Sequence, residues 1–163
     1  MRWLLVFLVA VLFSLPACDG EPDAVAVTAE SGASFELVAD VRQTMLWILE
    51  PAAEVIWDSA GFVITAEGER DLSPTTPEGW ERVRGSAALV AETGNLLMMR
   101  GRSMGPEWDA YAKAMITASR GVMAAAEAHD AEALFAVGGE LYQTCRGCHT
   151  PFMVPIAQAR DAE

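Results

Sequence analysis

Apolar residues are spaced in three ways along this chain: an unbroken run at the start, an aperiodic stretch, and helical spacing thereafter. From residue 35 onward, Val38, Val41, Met45, Ile48, Ala52 and Val55 recur at three- and four-residue steps. Leu46, Leu49, Ala53 and Ile56 form an adjacent stripe, so the segment presents the wide apolar face of a bundle helix. Pro51 interrupts it and predicts a kink or a break, because proline lacks the N–H of one helical bond and crowds the preceding turn. Gly61 marks the end. "TAEGERDLSPTTPEGW" reads as a loop, and Thr76 before Pro77 and Glu78 reads as an N-cap with proline in the first helical turn. A second helix then runs to residue 99, with Trp80, Val83, Ala87, Val90 and Leu97 inward. "RGRSMGP" breaks the chain again. The third helix spans 106–128 on Trp108, Tyr111, Met115, Ala118, Val122 and Ala125, and Asp130 caps a fourth that continues through "ALFAVGGELYQTCRGCH". No alternating run and no Asn-Gly turn predicts a strand. The fold class is therefore all-α, an antiparallel four-helix bundle over 35–160.

The opening run changes the picture of where the chain goes. Arg2 precedes eleven apolar residues, 3–13, too few for the roughly 20 that span a bilayer. A small residue, Ala17, follows before Cys18. That is the pattern of a secretory signal over 1–17. Its ending, "LPAC", resembles the lipobox of bacterial lipoproteins, which implies that Cys18 is lipidated and becomes the new N-terminus. Asp19 after it resembles the signal that retains such proteins at the inner membrane of Gram-negative bacteria. Residues 18–34 are small, acidic and aperiodic, a tether. The expected location is the periplasm, on the inner membrane through a lipid anchor.

Among 163 residues, 11 are Lys or Arg and 23 are Asp or Glu, for a net charge of −12. Lys113 is the single lysine and the arginines are scattered, so no nucleic-acid surface is expected. Three cysteines leave one unpaired if two form a disulfide; assigning Cys18 to lipid and the other two to one group leaves none over.

Those two stand in "LYQTCRGCHTPF". On a helix Cys145, Cys148 and His149 share a face, so both sulfurs and the imidazole can meet one flat object. Haem suits the spacing: two thioethers hold the ring, His149 serves as proximal iron ligand, and C-x-x-C-H is the attachment pattern of haem c. A redox-active dithiol would want a strand–helix setting. Structural zinc would need further ligands, and the one other histidine is His129, which suits a helix C-terminus as a cation. No acid–base pair or nucleophile constellation stands out, so an enzyme is not predicted. Gly138–Gly139, costly inside a helix, would be explained by close approach of another helix or of a flat cofactor.

With its haem motif near the C-terminal end of the fourth helix, the chain resembles the class II c-type cytochromes, the cytochrome c prime family. The likeness covers most of 35–156, through "VRQTM", "EWDAYAKAMITASRGVMAAAEAHDAEAL" and "LYQTCRGCHTPF". It departs at Pro51 and at Phe152–Met153, where an aromatic and a basic residue commonly follow the histidine. The resemblance implies one covalent haem on Cys145, Cys148 and His149, and a distal residue on the first helix just after an Arg-Gln pair such as Arg42–Gln43. That position falls on Leu46, with Met45 beside it. Met45 as sixth ligand gives an electron carrier that works with redox partner proteins. Leu46 as distal residue gives a five-coordinate iron that binds small gases such as NO or CO. Met45 is the preferred ligand; Met98, Met99 and Met153 rank below it. Arg42 is a candidate partner for a haem propionate. Trp47, Trp57, Trp80 and Trp108 read as core or haem-packing aromatics. The family often dimerises through its first two helices, which makes a homodimer an expectation. Outside the haem readings stands a haem-free structural or zinc-binding bundle.

Overall fold

The computed structural model describes residues 35–160. The packed unit begins at Glu36, and Cys18 and the leader lie outside the described residues. Helix α1 (41–57) comprises an α-helical turn Val41–Thr44, a π-helical turn Met45–Leu49 and an α-helical stretch Glu50–Trp57. A hairpin of β1 (Phe62–Thr65) and β2 (Gly68–Asp71) follows, then α2 (Pro77–Leu97), α3 (Pro106–Glu127) and α4 (Ala131–Arg160). Among the described residues the protein is thus mostly helical, with four helices and one small two-stranded sheet, which is compatible with an all-α bundle.

The helices start where their caps allow. The Asp40 carboxylate accepts from the Gln43 amide at 2.6 Å while the Gln43 side chain accepts from the Asp40 amide at 3.0 Å, a reciprocal box. Helix α1 therefore begins at Val41, six residues later than its apolar spacing suggests, and Val38 is 89% exposed. Thr76 caps α2 through the Gly79 amide and Asp130 caps α4 through the Ala133 amide. Helix α3 ends in a Schellman turn: the Asp130 amide reaches the Ala125 carbonyl and the His129 amide reaches that of Ala126. His129 takes the left-handed position there, with φ 52°, and its ring stacks on Trp80 at 5.3 Å. That stacking gives His129 a structural place.

Pro51 does not break α1. The Glu50 amide bonds back to the Met45 carbonyl, five residues away, so the helix widens for one turn ahead of the proline and then resumes. The widening accommodates a residue that can neither donate to, nor pack against, the carbonyl four positions earlier.

The hairpin was not expected. Its two strands, Phe62 paired with Asp71 through Thr65 with Gly68, are exposed along their whole length. With no buried face, no alternation is written into the sequence. What holds the turn is local: Thr65 Oγ1 accepts from the Glu67 amide, and Gly68 takes φ 132°.

The core lies among Ile56, Val83, Val90, Val122, Leu134 and Leu141, all fully buried. Arg102, 7% exposed, donates to the Ala39 carbonyl at 2.9 and 3.2 Å and to the Leu96 carbonyl at 3.3 Å. It ties the entry of α1 to the C-terminal end of α2, where the helix dipole favours a cation. Helix α1 packs chiefly on α2, α2 on α3, and α3 on α4. Close approach at the α2–α3 contact depends on Gly94, where a Cβ would lie 2.5 Å from Ile116. Gly138 and Gly139 differ, since a Cβ at either meets nothing within 4 Å.

Gly139→Ala should therefore raise stability by roughly 0.5–1 kcal/mol, and Gly94→Ala should lower it by about 1–3 kcal/mol. Urea unfolding followed by circular dichroism reads both. Midpoints that move together would contradict the contrast.

Candidate functional site

Between α1 and α4 lies a cavity of about 430 Å³, within the range of small-ligand and cofactor sites. Its α1 wall includes Met45, Leu46, Leu49, Ala53 and Trp57; its α4 wall includes Cys145, Cys148, His149, Phe152 and Met153. Trp108 closes it from α3, with its indole N–H donating to the Leu97 carbonyl at 2.8 Å. Phe152 sits edge-on to Trp108 at 5.2 Å.

The α1 wall depends on the π turn. Val41, Met45, Leu49, Ala53 and Trp57, four residues apart, all reach the cavity. In an uninterrupted α-helix each such step rotates by about 40°, roughly 160° over the set. One turn that holds an extra residue takes up most of that drift.

The sequence-predicted residues fall unevenly on this cavity. Cys145, Cys148, His149, Met45, Leu46 and Arg42 all line it. Met45 and Leu46 are not equivalent. Met45 packs against the buried core and also borders a smaller cavity with Tyr111, Met115, Cys145, Cys148 and His149, whereas Leu46 is 40% exposed and does not. Met153 lines the cavity; Met98 and Met99 stand at the end of α2, outside it, the Met99 sulfur accepting from Arg102 at 3.6 Å. Trp47 is 65% exposed and lines neither of these two cavities, so it is not a core aromatic. Trp57, read from sequence as a core or haem-packing aromatic, lines the cavity, and Leu49, Ala53 and Phe152 complete the walls without having been singled out as site residues. For Leu49 and Ala53 the signal was the four-residue stripe on α1, hidden because the π turn is not visible as a pattern.

Two residues that line this apolar space carry polar groups of note. Arg42 is exposed at the rim, and among the described residues the one salt bridge is Arg84–Glu81, which leaves Arg42 without a carboxylate. The Trp57 indole N–H is the one buried side-chain donor or acceptor atom among the described residues that lacks a partner.

The thiols are half-buried and free. Burial pushes both upward; Cys148 goes to about 11, with desolvation first and the neighbouring Cys145 second. Redox-active dithiols work the other way, their thiolates stabilised at a helix N-terminus or by a cation. Here Cys145 lies fourteen residues into α4, about 21 Å from its start. Among the described residues no group of three or more His, Cys, Asp or Glu is placed to hold a metal ion. In the motif's interior Gly147 lets Tyr111 lie close, a Cβ there falling 2.9 Å from the ring.

No family model matches the chain, and neither a curated protein nor a solved structure matches it.

A thiol whose folded-state value is raised contributes stability below its unfolded value and loses it as pH climbs toward the folded one. Cys148 should therefore leave the stability of haem-free protein unaffected up to about pH 9 and weaken it between pH 9 and about 11. Denaturant midpoints across that range measure it, and the Cys148→Ser variant should weaken less steeply. A wild-type curve no steeper than that of the variant would contradict a buried, protonated Cys148.

Proposed function

We propose that the chain is an exported monohaem c-type cytochrome, an antiparallel four-helix bundle that carries one electron at a time at the periplasmic face of the inner membrane. The observation that carries this reading is the cavity itself, with two thiols and an imidazole on α4 facing a thioether on α1 across apolar walls.

Haem c fits the residues present. Cys145 and Cys148 would hold its two thioethers and His149 its iron. Met45, the more deeply set of the two adjacent candidates, would approach from α1. Arg42 has no other carboxylate partner and would meet a propionate at the rim. When bound, the haem supplies one-electron Fe(III)/Fe(II) chemistry. The chain's own work is to exclude water with Leu49, Ala53, Trp108 and Phe152, and to hold His149 on a long helix anchored by its packing on α3. Thiols kept protonated are not poised for disulfide exchange, which favours attachment over a dithiol role.

No helix among the described residues is long and apolar enough to cross a membrane. The resemblance of "LPAC" to a lipobox supports attachment through a lipid on Cys18, with redox proteins as partners and pairing of two copies as a further expectation. The gas-binding alternative rests on Leu46, which shares the same wall at its more exposed edge.

Ferric protein matured with covalent haem should give low-spin absorption and EPR spectra at neutral pH. Met45→Ala should convert them to high-spin, while Leu46→Ala should leave them low-spin. A high-spin wild type would overturn Met45 ligation and favour gas binding; purification without haem from cells that mature c-type cytochromes would overturn both.

A further inference from the structure

The α1–α4 cleft does not end at the cavity just described. On the far side of Trp57 lies a second, more open recess of about 500 Å³, lined by Trp57, Ala60, Phe135, Ala136, the Gly138–Gly139 pair and Tyr142. Trp57 is thus a wall of both spaces, and its indole meets the Tyr142 ring edge-to-face at 6.0 Å.

Three properties of this recess point the same way. First, Phe135 and Tyr142 are 61% and 48% exposed, large aromatic surface left in water where singly scattered apolar residues would be unremarkable. Second, its floor is the glycine pair, each costing about 1 kcal/mol in a helix interior and neither excused by a neighbour, since a Cβ would meet open space. Third, the charged residues on the helical turns that line it have one sign. The helical turns that carry its lining residues, 54–61 and 132–142, hold Glu54, Asp58, Glu132 and Glu140, all exposed, and no lysine or arginine. None of these carboxylates is in a salt bridge. A shallow aromatic and glycine floor inside a negative rim complements a positively charged protein whose long basic side chains lie over aromatic faces and reach carboxylates.

We propose that this recess is the docking face for a basic redox protein, placed so that Trp57 is the partition between the partner and the cavity of Cys145, Cys148 and His149. The partner's chemistry rests on the electron-carrier reading; the docking face stands on the recess and its charge. In the exchange it serves, one electron leaves this protein and one is gained by the oxidised partner, with no bond made and no proton moved. Opposite charge raises the encounter rate and sets orientation, and the uncharged floor provides the close contact.

The test is a titration of isotope-labelled protein with a small, strongly basic cytochrome c, followed by amide NMR shifts at low salt, with haem content measured on the same sample. Expected are shifts concentrated at 54–61 and 132–142, and an affinity that falls at least tenfold between low and 200 mM salt. The triple variant Glu54→Lys/Asp58→Lys/Glu140→Lys should abolish binding. Gly139→Leu, which alters no charge and fits the open floor, should weaken it about tenfold while leaving the circular dichroism unchanged. Shifts on other faces, or wild-type affinity in Gly139→Leu, would overturn the docking face; so would shifts in the recess that grow with concentration before any partner is added, which would mark it as a self-association surface. A sample without haem whose recess still binds the probe would overturn the electron-carrier reading and leave a docking face for a basic protein. A haem-loaded sample whose recess does not respond would overturn the docking face alone.

Discussion

Pro51 cannot donate a backbone hydrogen bond, and how α1 absorbs that loss decides what the helix presents to the rest of the molecule. The π turn at Met45–Leu49 keeps Val41, Met45, Leu49, Ala53 and Trp57 on one wall across four turns. Without it, the same residues would spiral away from α4, and Met45 and Trp57 would not border one space. Arg102 supports the arrangement from outside by fixing the chain just ahead of the Asp40 cap. A wide turn is a local cost, and here it stands where the cavity is, as such turns often do.

How much of this was readable in advance follows from what each element buries. Helices α2 and α3 bury regular stripes, so Trp80, Val83, Ala87, Val90 and Leu97, and Trp108, Met115 and Val122, were identified correctly from spacing alone. Caps at Thr76 and Asp130 were legible because a polar side chain at a helix start has one obvious use. The hairpin was not, since strands exposed on both faces carry no period. Nor was the π turn, because a single extra residue in one turn leaves the three- and four-residue spacing nearly intact. The consequence fell on the site: Met45 was picked out and does line the cavity, whereas Trp57, read as a core or haem-packing aromatic, lines two recesses at once.

The thiols illustrate how position along a helix separates chemistries that share a motif. At a helix N-terminus the same two cysteines would be acidified and reactive. In the interior of α4, with half their surface covered, they are held neutral. The glycines make a parallel contrast. Gly94 and Gly147 are small because Ile116 and Tyr111 need the space, while Gly138 and Gly139 are small beside nothing in the chain itself. An unexplained pair of glycines in an acidic, aromatic recess is a reason to look outward for what covers it.

The central claim is that Cys145 and Cys148 carry a haem by covalent bonds. Intact mass under denaturing conditions, on protein exported from cells with a c-type maturation system, tests it most directly. The expected result is a chain heavier by one haem, with the addition lost in Cys145→Ala/Cys148→Ala. A wild-type mass equal to that of the processed polypeptide alone, or an addition that survives removal of both cysteines, would contradict it.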